Sequence, residues 1–224
     1  MAKYEKVKTG DGSETFRNTE IDECYHTKSG SFHEALEKHV RPSRIVEIAK
    51  KNSSVVIGDA CFGLGYNTLM ALHHIRKECP GCNIKIIAFE NDPALMEEAS
   101  RLTFDKTYEQ EATIIKSMLK PPYQYFSSDF QGSVWVGDLA KMLMYVPDDT
   151  FDVIFYDPFS PKKQPEMWSE ELFRQAYRSM RQGGRLTTYS CARIVRDNMK
   201  KAGFAVEDGP CIGRRSPSTI AVKK

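Results

Sequence analysis

Four acidic residues close four short apolar runs: Asp59 in SVVIGDA, Glu90 in IKIIAFE, Asp138 in VWVGD and Asp157 in FDVIFYD. Carboxylates accept hydrogen bonds from hydroxyls, amines and ammonium groups. Four of them at the ends of strands in one sheet would line a binding site for a polar or cationic ligand. Behind Asp59 lies CFGLG, whose Gly63 and Gly65 predict a tight turn that lets backbone approach a ligand closely. Thr68 stands where the dinucleotide fingerprint would have its third glycine, and no lysine follows as in a phosphate-binding loop. The expected ligand is therefore a nucleoside with a cationic or polar tail, not a polyphosphate. Asp157 opens a further unusual stretch, DPFSPKKQPEMW, with Pro158, Pro161 and Pro165 close together. Prolines at that density disrupt helices and strand ladders alike, so a shaped loop is expected there.

These residues need a frame. From residue 53 onward, short β-branched runs alternate with amphipathic helical patterns. Strands are expected over 54–60, 84–90, 134–138 and 151–157, with a fifth in GRLTTYS and a closing pair in FAVED and STIAVKK. Asp92 with Pro93 predicts one helix start and Ser169 another, the second helix closing at Gly183 and Gly184. Strand–helix alternation with short links predicts an α/β fold with a mostly parallel sheet, helices on both faces and an antiparallel C-terminal hairpin. Ligands of such sheets sit at the carboxyl ends of the strands. Residues 1–50 read as an N-terminal extension near that edge, with one helix broken near Pro42, and residues 51–224 as a single globular unit. Residues 103–132 read as irregular, either a second addition near the binding edge or a surface excursion.

Composition bounds the function class. The chain has 224 residues, 41% hydrophobic and 28% charged, enough for one full core. No apolar run is long enough to span a membrane and the first residues form no signal peptide, so a cytoplasmic protein is expected. Net charge is +2, but residues 158–224 hold 14 Lys and Arg against 6 Asp and Glu. A basic C-terminal third, with Arg214 and Arg215 adjacent, could face phosphates or be an ordinary solvated surface. Cys79 and Cys82 have metal-like spacing, but without further ligands they read as a helix end entering a Pro-Gly turn, and no metal is expected. His73 and His74, on an amphipathic helix with no accompanying acid or serine, read as structural.

The acids assign themselves to parts of a ligand. Glu90 suits the two hydroxyls of a ribose, Asp138 an exocyclic amine such as adenine's, and Asp59 an ammonium or ordered water. Together they describe S-adenosylmethionine, and the arrangement resembles the Rossmann-like class I methyltransferases. Many members of that class that methylate amino nitrogens carry Asp/Asn-Pro-Pro-aromatic after the fourth strand, and DPFSP is similar, with Phe159 in place of the second proline. A protonated amine has no lone pair to attack with. Asp157 could accept a hydrogen bond from the neutral amine and aim it, or take its proton; both readings stand.

The longer stretch DPFSPKKQPEMWSEELF, with RQGGRLTTYS, VRDNMKKAGF and GRR after it, resembles the methyltransferase domain of the tRNA 5-methylaminomethyl-2-thiouridine biosynthesis family MnmC. IDECYHTKSG and GDACFGLGYNTL resemble that family's upstream segments. The resemblance implies methyl transfer from S-adenosylmethionine to 5-aminomethyl-(2-thio)uridine at the tRNA wobble position, with tRNA as partner and a separate enzyme supplying the aminomethyl precursor. Two-domain members add a flavin oxidase; without a second Rossmann unit here, no flavin is expected. Carried over by motif, Gly63, Gly65 and Asn67 lie at the cofactor turn, Tyr25 near the methionyl end and Leu139 beside the base. Asp157 is placed beside the amine, and Pro158, Phe159, Lys162, Trp168, Arg214 and Arg215 on the substrate side. Pro158 stands where the family has a small residue, and Arg193 where it has glycine.

Three of these residues have plain alternatives. Trp168 could be a staple for the next helix, Lys162 a solvated lysine, and Tyr25 a packing residue for the N-terminal segment. Two other functions also remain open: a transferase acting on a small amine with S-adenosylmethionine or its decarboxylated form, and a non-catalytic RNA-binding relic.

Overall fold

The computed structural model describes residues 3–212 and 215–224. Its central sheet runs β10-β11-β9-β8-β4-β5-β7-β6, where β4 is Ser54–Ala60, β5 Asn83–Glu90, β6 Gln124–Phe126, β7 Phe130–Val136, β8 Phe151–Tyr156, β9 Met180–Thr188, β10 Ala205–Asp208 and β11 Thr219–Val222. The five strands from β9 to β7 are parallel, while β6 and the β10–β11 hairpin are antiparallel. The parallel strands are runs of Val, Ile and Phe because both faces are covered. One face packs on the helix Tyr66–Glu78 and its neighbours, the other on Glu170–Ser179 and Arg193–Lys201, giving two apolar cores. Strand order reverses at β4, which pairs with β5 on one side and β8 on the other. A crevice therefore opens at the carboxyl ends of these strands.

The expected helix starts are present. Asp92 accepts from the Ala94 and Leu95 amides, and Ser169 from the Leu172 amide. Gly183 and Gly184 do not close a helix. The helix ends at Ser179, and β9 begins at Met180, which is fully buried opposite Phe151; both glycines fall in a bulge of that strand.

Residues 4–24 form a separate antiparallel sheet with no helical period to announce it: β1 Tyr4–Lys8, β2 Glu14–Asn18 and β3 Glu23–Cys24. The helical segment after it is broken, with a π-helical stretch Ala35–Val40 and a left-handed Arg44 two residues past Pro42. Residues 103–132 are more regular than expected, holding the helix Glu109–Met118, β6 and the start of β7, and none of them reaches the crevice. Cys79 and Cys82 close a turn, the Cys82 amide donating to the Cys79 carbonyl at 3.1 Å. Among the described residues no helix is long and apolar enough to cross a membrane.

The turn between β4 and the helix Tyr66–Glu78 depends on Gly65. It is left-handed (φ 81°), and a Cβ there would meet Ile115 Cγ2 at 2.6 Å. Gly65→Ala should cost about 2 kcal/mol or more, combining left-handed strain and overpacking. Urea unfolding checks this; a loss under about 0.5 kcal/mol, the range of an ordinary surface change, would contradict it.

Candidate functional site

A cavity of about 710 Å³ opens at the carboxyl ends of β4, β5 and β8. Asp157, the first residue after β8, projects into it and takes both of its protein contacts on Oδ2. Asn67 Nδ2 donates at 3.1 Å and His39 Nε2 stands at 3.5 Å. Among the described residues no hydrogen bond is recorded to Oδ1. Burial would raise the Asp157 carboxyl. The charge and hydrogen bond offered by the His39 ring, the charge of His26 and the Asn67 amide outweigh it and hold the pKa at about 2. Asp157 is thus a fixed anion and a very weak base.

The loop after Asp157 is held by its backbone. Trp168 Nε1 donates to the Phe159 carbonyl at 2.9 Å, and Tyr189 Oη to the Pro158 carbonyl at 3.0 Å. The Gln164 side chain accepts from the Phe159 amide at 3.2 Å. Glu23 of β3 takes the Ser160 amide at 2.9 Å and also the Ser160 hydroxyl. Phe159 packs on Tyr25, ring centroids 4.8 Å apart. The three prolines thus sit in a loop whose carbonyls and amides are bound from four directions.

On the other side, Glu90 is gripped by backbone. Oε2 accepts from the Gly63 amide at 2.8 Å, and Oε1 from Asn91 and Asp92 at 2.9 and 3.0 Å. Burial raises its pKa, while these amides oppose the rise. Each carboxylate oxygen has two acceptor sites, so Oε2 keeps capacity for a ligand hydroxyl. Asp138 caps the helix Leu139–Leu143 through Oδ1, and buried Phe89 and Leu139 complete an apolar wall beside it. Asp92, beyond the helix cap already described, binds Lys3 Nζ at 2.8 Å and the Tyr4 hydroxyl, so β1 crosses the cavity rim.

Of the residues expected at the site, Tyr25, Gly63, Asn67, Glu90, Asp138, Leu139, Asp157, Pro158 and Phe159 line this cavity. Three of the others, Asp59, Gly65 and Trp168, are corrected. Asp59 is fully buried behind the wall and receives the Thr68 hydroxyl at 2.7 Å, because its side chain points under the helix Tyr66–Glu78. Gly65 lies behind the turn, against Ile115. Trp168 is 2% exposed and braces the loop from inside, so it offers no face for a base to stack on. Lys162 and Arg215 are exposed and off the cavity wall, and Arg214 lies outside the described residues. Sequence reasoning missed His26, His39 and the buried Glu34–Lys38 ion pair, which also line the cavity. Glu34, Lys38 and His39 lie on the expected helix of the N-terminal extension, where nothing local marked them, and His26 follows Tyr25 directly.

The donor set fits a nucleoside with a cationic tail. It combines a carboxylate with acceptor capacity left, an apolar wall for a base, a glycine turn pressed on Tyr25, and a fixed anion. Behind the turn, Asp59 Oδ1 is buried with no hydrogen-bond partner among the described residues.

Comparison with known proteins agrees with this geometry. Residues 104–224 match a family model described as S-adenosyl-L-methionine-dependent methyltransferase. The crystal structure of MnmC2 from Aquifex aeolicus superimposes with a TM-score of 0.90 at 32% identity, covering 99% of this chain and 70% of that one. Protein MJ0670 of Methanocaldococcus jannaschii is 31% identical over 97% of this chain and 59% of its own length. The tRNA 5-methylaminomethyl-2-thiouridine biosynthesis bifunctional protein MnmC of Actinobacillus pleuropneumoniae is 32% identical over 72% of this chain. The chain matches only 26% of that relative's length.

Burial raises the Asp59 carboxyl to about 8. Its unfolded value is about 4. The folded state therefore binds the extra proton, and wild-type stability falls as pH rises between these values. Asp59→Asn, which carries no charge, should gain on wild type steadily from pH 5 to pH 8 and level off above. Denaturant unfolding at several pH values reads this; a constant difference across the range would refute it.

Proposed function

The chain belongs to the S-adenosyl-L-methionine-dependent methyltransferase family, with the MnmC proteins among its relatives, and from that premise we propose that it methylates the primary amine of a 5-aminomethyluridine in tRNA. The observation that carries the reading is Asp157: a permanently charged carboxylate with one oxygen tied down and the other toward the cavity. When bound, the cofactor supplies a methyl group on a sulfonium. Glu90 would hold the ribose hydroxyls, Asp138 the exocyclic amine of the base, and Phe89 and Leu139 its faces. Gly63 and Tyr25 would flank the methionyl part. Asp157 Oδ1 accepts a hydrogen bond from the substrate amine and sets the direction of its lone pair, which is a positioning role. A carboxyl held near 2 does not take the proton of an alkylammonium, so Asp157 orients and another group must accept it. The bound loop from Pro158 to Gln164 keeps Asp157 and Phe159 in place without reorganisation.

Polyanion binding is a further part of the proposal. Lys162, Lys163, Arg193 and Arg215 are exposed. They are available for phosphates, while the charged residues lining the cavity are mostly acids, which disfavour phosphates. The reading places the protein in the cytoplasm, with a separate enzyme making the aminomethyl precursor. An acid-lined cavity also favours a free small amine as substrate, and salt separates the two. Phosphate contacts make affinity fall steeply with ionic strength, whereas one ion pair does not.

Incubation with methyl-labelled cofactor and tRNA from cells lacking this modification should label the wobble nucleoside. Asp157→Ala should reduce transfer by about 10²-fold, the scale of a lost orienting contact. No transfer to any tRNA by wild type, or undiminished transfer by the variant, would refute the proposal.

A further inference from the structure

The reaction proposed above requires a proton acceptor, and the inference drawn here rests on that reading. An alkylammonium at neutral pH must lose a proton before its nitrogen can attack, and Asp157 is an anion too weak to take it. The neighbouring carboxylates are occupied: Glu34 by Lys38 and the Thr27 amide and hydroxyl, Glu23 by Ser160. Burial raises the Tyr25 and Cys61 groups, which keeps them protonated. Two imidazoles remain. His26 has Nδ1 on the Thr15 hydroxyl at 3.1 Å and its ring edge against Tyr66. His39 has Nδ1 3.3 Å from the Thr187 hydroxyl, its ring edge against Phe155, and Nε2 3.5 Å from Asp157 Oδ2.

We propose that His39 is a further catalytic residue, the group that receives the substrate's proton at Nε2. With its own proton on Nδ1 donated to Thr187, the ring presents an accepting nitrogen to the cavity. The gap to Oδ2 is wider than a firm hydrogen bond. A proton arriving on Nε2 turns this contact into a charge-assisted pair with Asp157. The step balances: the ammonium N–H bond breaks and its proton moves to Nε2, and the freed lone pair forms the N–C bond. The donor's S–C bond breaks with its electron pair left on sulfur. His39 then returns its proton to water. Asp157 is the titratable group against this ring, and Asp157, Glu34, Lys38 and His39 are those acting on His26. Glu34 and Lys38 pair with each other, and Asp157 Oδ2 stands 3.5 Å from Nε2.

His39→Gln separates proton acceptance from packing, because glutamine keeps a polar amide at this place but cannot take a proton. At pH 7 the variant should lose about 10²-fold or more in kcat/KM. The loss should shrink about tenfold per pH unit up to pH 9, as solution supplies free amine below its pKa of about 10. Calorimetric affinity for S-adenosylhomocysteine should stay within twofold, showing an intact fold; His39→Asn serves if the glutamine variant fails this check. Wild-type activity with a pH-independent loss in His39→Gln, or no loss, overturns the inference while leaving the tRNA reading intact. So does a pH-rescued loss confined to His26→Gln. A wild type that methylates no tRNA fails the reading itself.

Discussion

A carboxylate that stays charged inside a half-closed cavity constrains everything around it. Asp157 has a side chain about 20% exposed, and desolvating a charge is costly unless it is paired. Its compensation comes from two distant parts of the chain, Asn67 in the first turn of the helix after β4 and His39 in the π-helical stretch, which meet Asp157 after β8. None of these segments can shift without leaving a buried charge unpaired. The glycine turn at Gly63 and Gly65 sets where the helix Tyr66–Glu78 begins, and so where Asn67 meets Asp157.

The N-terminal sheet does the complementary work of closing the crevice. Lys3 and Tyr4 tie β1 to Asp92, the Tyr66 hydroxyl bonds the Glu14 carbonyl of β2, and Glu23 ties β3 to Ser160. The same small sheet thus spans from the Glu90 side of the cavity to the Asp157 loop. A cover of this kind lowers the dielectric around the charges beneath it, which strengthens their interactions. It also brings Tyr25 and His26 inward, which a bare doubly wound sheet could not supply.

Legibility in the sequence followed the range of the interactions. The strands from Ser54 to Tyr156 and the caps at Asp92 and Ser169 were readable because hydrophobic period and capping chemistry are local. The residues lining the cavity from the turn and the proline loop were readable for the same reason: they lie within a few positions of a strand end. Asp59 was not, since a one-residue difference in position along a strand turns a side chain to the other face. Trp168 was ambiguous because an aromatic after a loop packs inward or outward depending on which carbonyl awaits its N–H. His39 was invisible. Its meaning comes from Asp157 and Thr187, which lie more than a hundred residues away, and no local pattern encodes that meeting. The three-stranded sheet of residues 4–24 failed for a related reason: its strands are short and polar, and their pairing is decided by what they cover.

Charge is distributed in a way that constrains the substrate's approach. Carboxylates outnumber lysines on the cavity wall, where Lys3 and Lys38 are both already paired with acids. A phosphate entering such a site would meet repulsion and desolvation together, whereas a cation's desolvation is offset by attraction to the acids. The exposed basic residues lie off that wall, in the loop after Asp157, at the start of the helix Arg193–Lys201 and near the C-terminal hairpin. A nucleic-acid substrate would therefore divide itself: its backbone stays with the outer lysines and arginines, and only a neutral base carrying an amine crosses into the acidic interior. That division requires the nucleotide to leave its stack, which is cheapest in a single-stranded loop. A wobble position is such a place. The acidity that would exclude a polyphosphate ligand is the same property that would select an unpaired, amine-bearing base over the rest of the chain that delivers it.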